Sequence, residues 1–377
     1  MAQSFDICIR GAGVVGRTLA LLLARERLSV ALVASPAPAS AGPDVRAYAL
    51  NAASRTLLHS LRCWPDPAQA TPVQRMLVAG DQGGEIAFDA ADQGVEALAW
   101  IADVPALEAR LHEAVRFQPL VEVVAAPVPA PLTAVCEGRA SRTREEFGAA
   151  FDVTPYPHHA IATRLACEQP HGATARQWFA PDGSILAFLP LGGPDGRQVA
   201  VVWSVHPQQA QELLALDDDA FAARLQQTSG DALGALRTEG ARAAWPLQQA
   251  RARQWCGPLR TGGAAPASWV LAGDAAHNVH PLTGQGLNLG LGDVQALAEV
   301  LAAREPWRSV ADLRLLRRYE RRRKTALLPM GLATDGLQRL FSLPQEPWQW
   351  LRNQGMRGVD RSGPLKHWMA RHAMGTP

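Results

Sequence analysis

The chain has 377 residues, enough for two joined domains or one large α/β unit with a packed core. Its apolar share of 47% excludes disorder for the bulk of the chain, and 37 basic against 35 acidic residues are too balanced for an electrostatic nucleic-acid binder. Five scattered cysteines without a CxxC pair fit neither a disulfide framework nor a zinc knuckle, so we expect a reducing, cytoplasmic compartment. No signal-peptide pattern and no run of about 18 apolar residues is present, so we expect a protein that is neither secreted nor membrane-spanning.

The first predicted elements form a βαβ unit. Residues 5–10 (FDICIR) predict a strand that ends at Gly11, residues 14–26 predict a helix, and residues 29–33 predict a second strand parallel to the first. A similar strand end recurs far downstream, where residues 269–272 (WVLA) lead into a Gly-rich loop and a helix over residues 287–305. Together these two units suggest one nucleotide-binding domain assembled from both ends of the chain.

The middle of the chain predicts a second, sheet-rich domain. Short alternating runs between residues 74–89 and 160–205 are separated by PDG and GGPDG turns, which favour antiparallel strands. Between these two regions, the APVPAPL stretch carries Pro127, Pro129 and Pro131 and predicts a stiff connector.

The C-terminal third predicts a basic helix. Residues 312–324 (DLRLLRRYERRRK) contain seven Arg and Lys residues, and a solvated helix face is favoured over a binding patch. Trp348, Trp350 and Trp368 follow. These tryptophans either pack against the core or contact a membrane surface, and both interpretations remain open.

GAGVVG, with Gly11, Gly13 and Gly16, directly follows the first strand and fits the dinucleotide fingerprint. In such a motif the phosphates lie at a helix N-terminus, where free N–H groups meet negative charge. The fingerprint normally also has an acid that ends the second strand and binds ribose. Here Ala34 occupies that region, and we consider Ser35, Arg46 or water as replacements.

A second motif, GDAAH followed by HPLTGQGLNLGLGD, is more specific. Asp274 ends a strand and can accept hydrogen bonds from a polyol, while Gly284 and Gly286 keep backbone N–H groups open at a helix start. His277 and His280 could be a metal pair. Because no third ligand has a supporting spacing, a packing or hydrogen-bonding role is favoured.

The ordered motifs resemble those of the flavin-dependent aromatic hydroxylases of ubiquinone biosynthesis, within the class A flavoprotein monooxygenases. The resemblance covers nearly the whole chain. Besides the two glycine motifs it includes DVRAYALNAAS, EGRASRTR, YPHHAIATRL, FLPL, RRYERRRK, ATDGLQRLFS and GPLKHWMARHAMG.

The resemblance implies an α/β fold: a Rossmann-like FAD-binding domain, a mainly antiparallel sheet domain for substrate, and C-terminal helices. We expect the FAD-binding domain to comprise residues 1–70, 101–155 and 255–335, the substrate domain residues 71–100 and 156–254, and the C-terminal segment residues 336–377. Noncovalent FAD would be contacted by Gly11, Gly13, Gly16, Arg46, Glu137, Gly138, Asp274, Pro281, Gly284, Gln285, Gly286, Leu287 and Asn288.

Two departures from the family pattern stand out. Glu137-Gly138 replaces the usual Asp-Gly, and Val135 replaces a Gly, which makes contact with NADH or NADPH less secure. In addition, only about twenty residues separate Phe117 from Glu137, so the Pro-rich stretch replaces a hairpin of the family. We expect the fold to survive this loss at the sheet edge.

The implied function is hydroxylation of the phenol ring of a hydrophobic, polyprenylated intermediate of ubiquinone biosynthesis, with NAD(P)H and O2 as co-substrates. Two alternatives remain open: a hydroxylase of a soluble aromatic compound, and a degenerate FAD-binding assembly partner. The chemistry resides in the cofactor, so no catalytic side chain is assigned. We expect contact with a quinone-biosynthesis complex or with the inner face of a membrane, and no metal.

Overall fold

The computed structural model describes residues 4–34, 44–80, 83–259, 266–278 and 285–342, with side chains up to residue 327. In chain order the helices are α1 (Val14–Arg25), α2 (Ala52–Ser60), α3 (Val104–Arg116), α4 (Arg142–Glu146), α5 (Pro207–Ala215), α6 (Asp218–Thr228), α7 (Gly286–Ala302) and α8 (Leu313–Ser342). The strands are β1 (Ile7–Arg10), β2 (Val30–Val33), β3 (Ala47–Leu50), β4 (Ala70–Val73), β5 (Arg75–Ala79), β6 (Glu85–Asp89), β7 (Ala99–Asp103), β8 (Val121–Val124), β9 (Leu132–Val135), β10 (Phe151–Cys167), β11 (Thr174–Phe179), β12 (Ile185–Pro190), β13 (Gln198–Val205), β14 (Leu236–Thr238), β15 (Ala243–Ala252), β16 (Cys256–Leu259), β17 (Ala267–Leu271) and β18 (His277–Asn278).

The first sheet has the strand order β16-β17-β9-β1-β2-β8. All neighbours are parallel except the edge pair of β16 and β17. Ile7, Ile9, Val30 and Leu32 are fully or almost fully buried, as expected for strands covered on both faces. The predicted βαβ unit and the joining of both chain ends in one sheet are therefore confirmed.

The Pro-rich connector joins two strands that are not neighbours. β8 lies at the sheet edge and β9 lies beyond β2 and β1, so residues 125–131 return across two strands without forming a hairpin. The Val128 amide hydrogen-bonds the thiol of Cys8 on β1. The sheet thus survives the shortened excursion, because a stiff connector of seven residues is long enough to cross it.

The second sheet follows the order β18-β15-β10-β13-β12-β11-β5-β6, with β14 paired to β10. It is antiparallel except between β5 and β11, in agreement with the turn signals. One face packs on α5 and α6 through Ile161, Val201, Trp203 and Phe221. The opposite face therefore remains available to the rest of the molecule.

A small sheet of β3, β7 and β4 lies between the two larger ones. Arg164 of β10 forms an ion pair with Asp103 of β7 at 2.8 Å, and its Nε donates to the Val45 carbonyl at 3.4 Å. β10 runs through residue 155, where we expected a domain boundary, and its pairing with β15 shifts register between Pro155 and His159. The division into domains stays a prediction.

The basic helix is confirmed as α8, which exposes one face to solvent. Leu316 and Tyr319 are fully buried, whereas Arg314, Arg317 and Arg318 are exposed. Within the described residues, no helix is both long enough and apolar enough to cross a membrane. Trp348, Trp350 and Trp368 lie outside the described residues.

A histidine pair lies where β13 ends, with His158 buried and His206 exposed. The rings of His158 and His206 are 4.6 Å apart between centroids, and His158 is 8% exposed. Burial and the neighbouring His206 lower the pKa of His158, although Asp182 acts in the opposite direction. The native state therefore resists protonation of this imidazole.

We predict that stability falls as the pH drops below about 6.5, the ordinary histidine pKa. Below this pH the histidine of the unfolded chain binds a proton, whereas native His158 binds one only at lower pH. The free energy of unfolding therefore changes, because of this residue, by at most about 1.4 kcal/mol per pH unit. Urea unfolding at pH 5.5 and 7.5 measures the slope. His158→Gln should flatten it and His112→Gln, at an exposed histidine of α3, should not; equal slopes in all three proteins contradict the prediction.

Candidate cofactor-binding site

Three loops meet at one edge of the first sheet. β1, β9 and β17 are adjacent and parallel, so their carboxyl ends lie side by side. Gly11 follows β1, Glu137 follows β9, and Asp274 follows β17. Ligands of open α/β sheets bind outside the carboxyl ends of the strands, and these loops form the candidate site.

The three glycines of GAGVVG have different environments. Gly11 has a φ of +111°, and a Cβ there would lie 2.5 Å from the Cys136 carbonyl oxygen. A Cβ on Gly16 would overlap the Gly11 carbonyl oxygen. A Cβ on Gly13 would meet no heavy atom within 4 Å. The first and third glycines thus allow close packing of the backbone, and the second faces open space.

Open backbone positions occur in the loops after β1 and β9 and at the start of α7, which fits a bound dinucleotide. Gly13 is the N-cap of α1 and no side chain caps this end, so the first N–H groups of the helix remain available to an anion. A Cβ on Gly138 or on Gly286 would also meet nothing within 4 Å. A flat cofactor with a pyrophosphate can approach the backbone at each of these points.

Asp274 lies in a short 3₁₀ turn, Gly273–Ala275, after β17. Burial raises the pKa of this carboxyl, while the positive charges of His277, Arg139 and Arg46 act against that increase. A buried carboxylate is stabilised when hydroxyl groups donate to it. Its position and chemistry therefore fit the polyol role predicted from the sequence.

Arg46 is held in place by its neighbour Asp44. Its Nε donates to Asp44 Oδ1 at 2.8 Å and its Nη2 to Oδ2 at 2.6 Å, and this pairing raises the pKa of Arg46. The positive charge of the guanidinium also acts to lower the pKa of Tyr48 and of Asp274. Arg46 is thus a fixed positive charge beside the candidate site.

A carboxylate that was not expected from the sequence acts on arginines around the candidate site, where Ala34 replaces the acid that normally binds ribose. Ala34 itself offers only its backbone, whose N–H donates to Val124 at 3.0 Å, and Ser35 lies outside the described residues. Glu108 of α3 is half-buried, and its negative charge acts on both Arg17 and Arg46. The helical period alone did not show that α3 packs against α1.

The carboxylate of Glu137 is occupied by its own loop. It accepts from Ser141 Oγ at 2.8 Å, from Thr143 N at 3.1 Å and from Thr143 Oγ1 at 2.6 Å. Burial would raise the pKa of Glu137, but these hydrogen bonds and Arg10 lower it. Glu137 therefore stabilises the loop, and Gly138, with a φ of +79°, presents backbone to the site. Cofactor contact by this pair stays a prediction.

Arg144, in the same EGRASRTR segment, is a residue whose importance the sequence did not reveal. It is 4% exposed, and its guanidinium lies 3.6 Å from the centre of the Phe151 ring. Its Nη1 donates to the carbonyl oxygens of Arg139 at 3.2 Å and Ala275 at 3.4 Å. Arg144 thereby links the loop after β9 to the Asp274 turn.

The start of α7 is attached to the segment between β3 and α2. Asn288 Oδ1 accepts from Asn51 N at 3.0 Å, and its Nδ2 donates to Ala49 O at 2.8 Å. Its side chain thus positions the helix start, where Gln285, Gly286 and Leu287 lie. Pro281 and Gly284 are outside the described residues, so their predicted contacts remain untested.

His277 has the hydrogen-bonding role that the sequence favoured. Its Nε2 lies 2.6 Å from Asp293 Oδ2, and its ring stacks on Trp255 with centroids 5.0 Å apart. Among the described residues no group of three or more His, Cys, Asp and Glu side chains is arranged to hold a metal ion. His280 is outside these residues.

Comparison with known proteins also indicates a site that binds FAD. A family model described as an FAD binding domain matches residues 98–328. The chain is 31% identical over 405 residues to the 3-demethoxyubiquinol 3-hydroxylase of Escherichia coli, with 99% of each chain covered. It is also 31% identical over 408 residues to the ubiquinone hydroxylase UbiL of Rhodospirillum rubrum, with 98% of this chain and 90% of that one covered.

Solved structures share the fold at lower identity. The crystal structure of p-nitrophenol 4-monooxygenase from Pseudomonas putida superposes with a TM-score of 0.76 and 20% identity, covering 100% of this chain and 99% of the other. At this identity the similarity establishes the architecture alone, which is that of the FAD-dependent monooxygenases.

We predict that Asp274→Ala weakens FAD binding about ten- to a hundred-fold. Loss of a carboxylate that accepts charge-assisted hydrogen bonds costs on the order of 1.5–3 kcal/mol. Quenching of flavin fluorescence on titration into apoprotein measures the dissociation constant. Asp195→Ala, at an exposed carboxylate in the turn between β12 and β13, is the matched control. Equal affinity in both variants removes Asp274 from the site.

Proposed function

The chain belongs to the FAD-dependent hydroxylases of ubiquinone biosynthesis, and from that membership we propose that it hydroxylates the ring of a polyprenylated phenol. FAD is its cofactor and NAD(P)H its reductant. The observation that carries the proposal is the meeting of three loops at the carboxyl ends of β1, β9 and β17, with open backbone at Gly13, Gly138 and Gly286. When bound, FAD supplies the activation of O2 that hydroxylation requires.

The residues of the chain bind and orient the cofactor. Free N–H groups at the start of α1 would hold the pyrophosphate, with Gly13 leaving room for it. Asp274 would accept from the ribityl hydroxyls, and Arg46 would balance the negative charge of the phosphates. The N-terminus of α7, near Gly286 and Leu287, would favour negative charge on the isoalloxazine ring.

The open face of the second sheet supports a hydrophobic substrate. Ala162, Val202 and Ala187 are cross-strand neighbours on the face opposite α5 and α6. Val202 and Ala187 remain partly exposed in spite of their apolar side chains. On the next strand Trp245 pairs with Ala160, and Arg139 donates to Pro246 O at 3.5 Å. We propose that this lane of small side chains, beside the Arg139 and Asp274 region, holds the apolar part of the substrate.

The proposal predicts a preference for prenylated substrates. Burial of one five-carbon prenyl unit contributes roughly 3 kcal/mol, or about a hundred-fold in kcat/KM. The purified holoenzyme is given NAD(P)H, ¹⁸O2 and either a demethoxyubiquinol with one prenyl unit or the same ring without it. Mass spectrometry should show one ¹⁸O in the ring, formed at least ten times more efficiently from the prenylated compound.

Two other outcomes would exclude the proposal, and each indicates a different function. A preference for the short phenol indicates a hydroxylase of soluble aromatic compounds, and no hydroxylation of either ring indicates a binding partner without activity. The variant Ala187→Trp fills the lane and should raise KM for the prenylated compound while FAD affinity stays unchanged. Ala223→Trp, at an exposed position of α6 on the far side of the sheet, is its control.

We further propose that the C-terminal part of the chain contacts an anionic membrane surface, where a polyprenylated substrate resides. Among the described residues, the basic face of α8 supports this proposal. It is formed by the exposed residues Arg314, Arg317, Arg318 and Arg321. A cationic helix gains about 1 kcal/mol per basic residue near an anionic surface.

Vesicle flotation tests this contact. The intact protein should float with vesicles containing phosphatidylglycerol and stay behind with neutral vesicles. Arg317→Gln with Arg321→Gln should reduce binding roughly thirty-fold, corresponding to about 2 kcal/mol. Arg75→Gln with Arg224→Gln removes the same charge from other exposed positions and should have no effect. Absence of flotation by the intact chain, or equal loss in both pairs, excludes the contact.

A further inference from the structure

We infer that Asp293 of α7 is a positioning residue of the FAD site, and that Arg323 of α8 acts on the cofactor through it. The inference rests on the proposed location of FAD beside Asp274. Asp293 is fully buried and lies 19 residues after Asp274 in the chain.

Three donors from two segments, the stretch after β17 and helix α8, meet on the Asp293 carboxylate of α7. Oδ2 accepts from Gly273 N at 2.9 Å and from His277 Nε2 at 2.6 Å. Oδ1 accepts from Arg323 Nε at 2.6 Å. Burial would raise the pKa of Asp293, but His277 and Arg323 lower it, so the group is a carboxylate in the folded protein. A buried charge with this set of partners is satisfied only when all three segments are in place.

The donors flank the cofactor-binding turn. Gly273 directly precedes Asp274 and His277 follows it by three residues, so Asp293 holds the Asp274 turn from both sides. Arg323 also donates from Nη2 to Leu289 O at 3.1 Å, in the first turns of α7. One ion pair therefore joins the Asp274 turn, the start of α7 and the C-terminal helix.

Packing around the network leaves the turn little freedom to move. A Cβ on Gly290 would lie 2.9 Å from Val15 Cγ2 and 3.3 Å from the Cα of Gly273. Val15 belongs to the first turn of α1, beside the open backbone of Gly13. The Asp274 turn, α7 and the N-terminus of α1 are thus in mutual contact, and a shift of one moves the others.

The His277 ring is itself fixed. It stacks on Trp255 with an interplanar angle of 19°, and the Trp255 indole N–H donates to Ala252 O at 3.1 Å. Lys324, next to Arg323, lies 6.0 Å from the centre of the Trp255 ring. The imidazole consequently presents Nε2 to Asp293 in a single orientation.

A double-mutant cycle tests the inference. Asp293→Asn, Arg323→Gln and the double variant are prepared as full-length apoproteins and titrated with FAD. Each single change should raise the dissociation constant at least ten-fold, and the double variant should be no weaker than the weaker single variant, because both remove one interaction. Arg323→Lys retains the charge and should restore most of the affinity. The midpoint potential of bound flavin should shift in the two single variants as well.

The control separates positioning from general stability. Val201→Ala creates a cavity in the core beside α5 and α6, far from the turn, and should lower resistance to urea without changing FAD affinity. If Asp293→Asn and Arg323→Gln behave like Val201→Ala, with FAD affinity and potential unchanged, the inference is overturned. If one variant does not fold, the Arg323→Lys and Arg323→Gln pair still decides it.

The same titrations distinguish this inference from the proposed location of the cofactor. Loss of FAD in Asp274→Ala with normal binding in Asp293→Asn overturns the positioning role alone. Normal binding in Asp274→Ala shows that FAD does not lie at this turn, which overturns both.

Discussion

The alignment of three parallel strands is the constraint on which the candidate site depends. β1, β9 and β17 come from widely separated parts of the chain, and their pairing brings Gly11, Glu137 and Asp274 to one sheet edge. Gly11 and Gly16 have no room for a side chain, so the first strand, α1 and the loop after β9 can approach closely. Gly13, Gly138 and Gly286, in contrast, face open space, so the backbone is accessible at the positions where we expect the cofactor.

Buried charges then hold the three loops relative to one another. Glu137 organises its own loop through Ser141 and Thr143, and Arg144 extends from that loop to the carbonyl of Ala275. Asp293 connects the next turn to α7 and α8. Each of these groups would be costly to bury alone: Glu137 is satisfied mainly within its own loop, whereas Arg144 and Asp293 bond to partners in other segments. Such networks favour one arrangement of the loops over nearby alternatives.

In this architecture the cofactor and the protein have different roles. Since the oxidation chemistry resides in FAD, the protein contributes location, shielding from water and a surface that selects the substrate. The second sheet offers such a surface because α5 and α6 cover one of its faces and the small sheet packs on only part of the other, around Ala175 and Ala200. Alternation along β10, β12 and β13 places Ile161, Phe188 and Trp203 toward those helices and Ala162, Ala187 and Val202 toward the opposite side.

The sequence by itself determined the main elements and a dinucleotide site, and the resemblance of its ordered motifs to a known family identified the dinucleotide as FAD. Strand, Gly-rich turn and helix follow one another locally, and alternating runs with PDG turns encode antiparallel strands, so neighbours in the chain carry enough information for these elements. The connector at Pro127–Pro131 was also predictable, because proline restricts the backbone wherever it occurs. Only the tertiary structure decided which side chains are partners. The occupied carboxylate of Glu137, the buried Arg144, the carboxylate of Glu108 near Arg46, and the grouping of His277, Asp293 and Arg323 depend on strand order and helix packing. Those contacts join residues that are distant in sequence, and hydrophobic periodicity specifies which face of an element is buried without specifying what it is buried against.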